Sequence, residues 1–94
     1  MTNNDQYTSR VIEILNEAGL HARPSASFVK TANDFVSDIF VEKDNMKVNG
    51  KSIMGLMMLG ANKGSKIRVT AEGPDASSAI KSIEFLINNK FGEK

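Results

Sequence analysis

The chain has 94 residues, 40% of them hydrophobic and 24% charged, which suits one compact soluble domain and is too short for two. Its formal net charge of +1 gives no electrostatic footprint for nucleic acid or a membrane surface. The lack of cysteine removes disulfides, thiol nucleophiles and cysteine-based metal sites, and fits a reducing cytosol.

The opening "MTNNDQYTSR" is polar and lacks the apolar run of a secretory signal. No segment reaches the ~20 apolar residues that span a bilayer, so a soluble, cytoplasmic protein is expected. Residues 1–7 read as a loose end. "RVIEIL" (10–15) is β-branched and apolar and predicts a strand with Ile12 and Ile14 on one face. "NEAGL" breaks it. Pro24 suits a first helical turn, where its missing N–H goes unneeded. From there Ser25, Val29, Ala32 and Val36 recur at helical spacing, with Phe28 and Phe35 alongside. That pattern predicts an amphipathic helix of about three turns. "DIFVEK" and "MKVN" flank Asp44-Asn45 and predict a hairpin with Ile39, Val41 and Val48 inward. Phe40 then falls on the more polar face, which it fits poorly. "GKSIMGLMMLG" (50–60) predicts a short helix opened by Ser52 as N-cap and closed near Gly60. "KIRVTAE" alternates Ile67, Val69 and Ala71 with polar residues, a half-buried strand. Gly73-Pro74-Asp75 ends it, and Asp75 is the expected cap of a last helix. The apolar face of that helix is Ala76, Ala79, Ile80, Ile83, Leu86 and Ile87. Residues 92–94 read as loose. Strand, helix, strand, strand, helix, strand, helix predicts a two-layer α+β domain spanning residues 1–94.

The only histidine, His21, lies in "GLHARPSAS" (19–27). One histidine and no cysteine cannot build a common zinc site, so no metal is expected. Nothing marks a serine as sitting on a strained nucleophile turn, and no glycine pattern matches a P-loop or a dinucleotide fold. One chemistry keeps its parts. Just ahead of a helix starting near residues 22–24, His21 faces the unpaired N–H groups of the first turn and the positive end of the helix dipole. Arg23 adds a full positive charge. Such surroundings favour the neutral, nucleophilic ring, and the same groups would hold the oxygens of a phosphoryl group placed on it. For a His-x-Arg alone, the plain alternative is a loop histidine beside a surface arginine.

"GLHARPSAS" together with "NGKSIMGLMMLGANKG" (49–64) resembles HPr, the histidine-containing phosphocarrier family of the bacterial phosphoenolpyruvate-dependent sugar phosphotransferase system. The resemblance runs from about residue 11 to residue 87. It implies an open-faced sandwich, a four-stranded antiparallel sheet with three helices on one face, in the order β-α-β-β-α-β-α. It implies that His21 is phosphorylated at Nδ1 by enzyme I and hands the group to sugar-specific enzyme IIA domains, with Arg23 contacting the phosphate. A carrier of this kind needs no cofactor and turns nothing over by itself. Transient docking implies a monomer.

Ser52 matches the position where many relatives carry a regulatory serine phosphorylated by HPr kinase/phosphorylase; a plain N-cap role is compatible with it. Ile53, Met54, Leu56, Met57 and Met58 occupy nearly every direction around the short helix, which can bury only one face. Leu56 and Met58 are read as core. Ile53, Met54 and Met57 are read as a partner-docking patch. The start is longer than usual for the family, the "NNKFGEK" ending does not match, and Ser25 replaces a frequent alanine. A regulatory or nitrogen-related phosphotransfer paralogue is the alternative within the family. A small ligand- or RNA-binding module would need a basic face with stacking aromatics, which the phenylalanine positions do not supply.

Overall fold

The computed structural model describes residues 6–93. Strand β1 spans Tyr7–Glu13, helix α1 Ala22–Ala32, strands β2 and β3 Asp38–Lys43 and Met46–Asn49, helix α2 Ile53–Met58, strand β4 Lys66–Glu72 and helix α3 Ala76–Asn88. A 3-10 turn over Lys90–Gly92 follows. The four strands form one antiparallel sheet in the order β1-β4-β2-β3.

β1 starts earlier than its apolar alternation because the ladder is a backbone property. Tyr7 pairs with Glu72 and Glu13 with Lys66, and the Ser9 and Thr70 hydroxyls meet at 3.2 Å. Residues 6–7 are therefore not loose: the Gln6 carbonyl accepts the Gly73 N–H. Residues 92–93 are not loose either. Phe91 is buried, and Glu93 is bonded at both its backbone and its side chain. Residues 1–5 and 94, also expected as loose ends, lie outside the described residues.

The core lies on one side of the sheet. Ile12, Ile39, Val41, Ile67, Val69 and Ala71 point into it, and α3 covers β1 and β4. α1 packs on α2 and α3. An Arg10–Glu84 ion pair straps β1 to α3. Asp44 (φ 50°) and Asn45 (φ 68°) take the two left-handed positions of the hairpin turn, where short polar side chains are best tolerated. Phe40, on the open face, lies under the Lys47 ammonium, 4.7 Å from the ring centroid. That cation–π contact gives a solvent-facing aromatic a polar partner.

Two expected features differ. α1 ends at Ala32, and Val36, expected on its buried face, is exposed. Successive short turns, Asp34 N–H to Thr31 and Phe35 N–H to Ala32, unwind the chain there. Asp75 sits at the N-cap position of α3, and its carbonyl accepts the Ala79 N–H at 3.0 Å, but its side chain makes no capping hydrogen bond to that helix. Its carboxylate reaches across to the α1–β2 loop instead, accepting the N–H groups of Val36 and Ser37 at 3.0 Å each and the Ser37 hydroxyl. Gly73 allows that approach: a Cβ there would lie 2.6 Å from Ser37 Oγ.

Candidate functional site

His21 is the N-cap residue of α1, with extended backbone (φ −76°, ψ −173°). Its carbonyl accepts the Ser25 N–H at 2.9 Å, closing the first turn. Its side chain makes no capping bond and is exposed. The first N–H groups of the helix have no intrahelical acceptor, and Pro24 brings none. No acidic residue lies in that turn. The imidazole is thus uncommitted, at the positive end of an 11-residue helix. Arg23 is exposed, and among the described residues its guanidinium has no hydrogen-bond or ion-pair partner. It is held by nothing that an incoming anion would have to displace.

The approach to His21 is rigid. Gly19 has φ +65°, and a Cβ on it would lie 2.4 Å from the Ala61 carbonyl oxygen. Only glycine fits so close to the neighbouring backbone at that φ. The next residue, Leu20, is buried and donates its N–H to the same Ala61 carbonyl at 2.9 Å. Ser25, whose hydroxyl had no expected role, is buried and donates to the Leu20 carbonyl at 3.1 Å. That hydroxyl holds the loop and does not point at the surface where a phosphate would sit.

A side chain that the sequence reading passed over also holds this loop. Asn16 is fully buried, and its amide donates to the Gly19 carbonyl (3.0 Å) and to the Glu93 carboxylate (3.1 Å). An asparagine three residues before a glycine is a turn signal, which was available in "NEAGL". Its partner Glu93 is distant in sequence and left no local mark. Glu17, on the outer side of the loop, is hydrogen-bonded by Lys63. That bond, the Lys63 charge and nearby Lys90 hold its carboxyl below the usual carboxylate value.

α2 brings the second group of expected residues. The Ser52 hydroxyl accepts the Gly55 N–H at 3.0 Å, as an N-cap does. Ile53 and Met57 are 40% and 44% exposed, and Met54 is 73% exposed. Leu56 is buried as expected. Met58, expected in the core, is 66% exposed, and Leu59 is buried in its place. The helix has only six residues, so Leu56 and Leu59, three apart, define its inner face and Met58 is rotated out of it. His21 and Met57 share the rim of a concavity of about 190 Å³ completed by Leu20, Gly60, Ala61 and Asn62. Met57 is thereby brought beside the imidazole, whereas Ser52 stands at the other end of α2.

Among the described residues no helix is long and apolar enough to cross a membrane. The model of the family described as the PTS HPr component phosphorylation site matches residues 8–89. The Phosphocarrier protein HPr of Neisseria meningitidis is 51% identical over 82 residues, covering 87% of this chain and 92% of the relative. The HPr-like protein Crh of Bacillus subtilis is 47% identical, with 84% and 93% covered. The crystal structure of HPr from Thermoanaerobacter tengcongensis superposes with a TM-score of 0.89 at 55% identity, covering 93% of this chain and 98% of that one. A one-sided antiparallel sheet, an uncommitted histidine at the N-cap position of the first helix and matches over nearly the whole length lead to one conclusion: the chain belongs to the HPr family of phosphocarrier proteins of the phosphotransferase system.

Proposed function

We propose that His21 is the phosphoryl acceptor of this carrier, loaded by phospho-enzyme I and unloaded onto enzyme IIA domains in the cytoplasm. The observation that carries the reading is the exposed, uncommitted imidazole at the N-terminus of α1. The Nδ1 lone pair attacks phosphorus in line. The bond to the donor atom breaks with its electron pair, and the proton on Nε2 stays where it is. The transferred oxygens then lie near the unpaired first-turn N–H groups, and Arg23 swings over to neutralise them. Reversal onto the next acceptor uses the same groups, so the carrier ends unchanged. Ile53, Met54 and Met57 seat both partners in turn beside the ring, and the carrier works as a monomer. Labelled phosphoenolpyruvate and enzyme I should place acid-labile label on the wild type and none on His21→Ala. Equal labelling of the two would overturn the assignment.

A regulatory layer at Ser52 is favoured by the geometry of its hydroxyl. That oxygen accepts the Gly55 N–H, which leaves its proton free to be replaced by phosphorus while the cap contact is kept. Incubation with HPr kinase/phosphorylase and ATP should add one phosphate that maps to Ser52. Absence of that phosphate would leave the residue as a cap alone.

A further inference from the structure

Asn16 is an unusual core residue. Its side chain is fully buried, yet its Oδ1 has no hydrogen-bond partner among the described residues. A buried, unsatisfied carbonyl oxygen is costly. An apolar residue of similar size would avoid that cost. What the amide supplies instead is a two-way bond. One N–H goes to the carbonyl of Gly19, two residues ahead of His21, and the other to the carboxylate of Glu93. Both partners are acceptors, so the amide orientation is fixed by its contacts.

The far end of this bond is itself held in place. Lys90 (φ 57°), Phe91 (φ 56°) and Gly92 (φ 76°) form a run of three left-handed residues. Such a run is unfavourable for the first two and needs an anchor. Phe91 supplies it by entering the core, and the Glu93 N–H donates back to the Lys90 carbonyl at 2.8 Å. The turn thus points the Glu93 side chain inward at Asn16. At the near end, Gly19 has no slack: its backbone is pressed against Ala61, and Leu20 is bonded to Ala61. Any shift of the Gly19 carbonyl is therefore passed directly to Leu20 and His21.

We propose that Asn16 is a positioning residue for phosphoryl transfer, coupling the C-terminal turn through Glu93 to the backbone that aims His21. The proposal rests on His21 being the acceptor. It acts on the reacting geometry and leaves the docking patch untouched. Loss of the amide should lower the maximal transfer rate and leave the apparent KM for the carrier as it was.

The test compares wild type, Asn16→Ala, Asn16→Asp, Glu93→Ala and Glu93→Gln in two measurements. The first is steady-state phosphorylation by enzyme I and phosphoenolpyruvate. The second is amide hydrogen exchange of Leu20 against Val69. Expected is a fall of about three- to tenfold in maximal rate for both Asn16 variants, the size one neutral hydrogen bond carries. Expected with it is faster exchange at Leu20 and unchanged exchange at Val69 in β4. Glu93→Ala, at the less buried end, should show a smaller loss that Glu93→Gln recovers, since an amide oxygen still accepts the Asn16 N–H. Unchanged rates with unchanged Leu20 exchange would overturn the proposal. So would a loss confined to KM, or one that tracks exchange at Val69, because that is general destabilisation. If the wild type takes no phosphate on His21, the acceptor reading itself fails; the exchange data then decide separately whether Asn16 orders the loop.

Discussion

Asp75 shows how one carboxylate ties two loops together. It accepts two backbone N–H groups and a hydroxyl from the α1–β2 loop, and the Ser37 hydroxyl leads the effects that hold its carboxyl below the usual range. A carboxyl whose value is lowered by folding contributes stability above its unfolded value, near ~4, and loses that contribution as the pH falls through the folded value. Asp75→Asn should therefore melt at a lower temperature than wild type at neutral pH. The gap should close as the solution is acidified below about pH 4. Thermal melts of both proteins across that range check it; a gap that stays constant with pH would assign the effect to packing. That Asp75 precedes a helix was legible in Gly73-Pro74-Asp75, but its partners were not, because they lie 38 and 39 residues away. Asn16 was half hidden: its turn with Gly19 is local, but Glu93 lies 77 residues away. His21 was legible because the helix start that it caps, His21 to Ser25, is local; the Ala61 carbonyl that holds Leu20 and the neighbouring Met57 are distant in sequence and were not.

At the scale of elements, periodicity identified β2, β4 and α3 well because each buries one face against the same core, while β3, with only Val48 partly buried, was marked by the Asp44-Asn45 turn before it. It failed at the ends of α1 and α2. Phe35 and Val36 continue the spacing of α1 after its hydrogen bonds have stopped, and a six-residue helix offers too few turns to separate Met58 from Leu59. α2 invites two contrasting substitutions. Ser52→Ala removes the side-chain N-cap of a helix under two turns long and should cost about 1 kcal/mol, read as a lower urea midpoint at unchanged slope. Met54→Asp should do the reverse. The side chain is 73% exposed, so the midpoint should hold, while the apparent KM for phosphorylation by enzyme I rises about tenfold or more as a charge enters an apolar contact. Equal kinetics for Met54→Asp and wild type would remove Met54 from the docking surface, whatever the fate of His21.

The whole molecule is a sheet with one dry face, and that asymmetry is a claim about energy as well as shape. Val69 in β4 is fully buried between the sheet and the helices; Val11 in β1 stands 50% exposed on the opposite face, opposite Arg68. Both are valines in paired strands of the same sheet, so backbone and propensity effects are comparable, at up to about 1 kcal/mol. The difference between them is burial. Val69→Ala deletes two buried carbon groups at about 0.8 kcal/mol each and leaves a cavity that a close-packed layer cannot refill. A total near 2–3 kcal/mol is expected, a large part of what a domain this small has. Val11→Ala should cost less than about 1 kcal/mol. Urea denaturation of the two variants, followed by circular dichroism, measures both. Similar costs would mean that the open face is covered in solution by a second copy, and the one-sided architecture would then be incomplete as a description of the stable state.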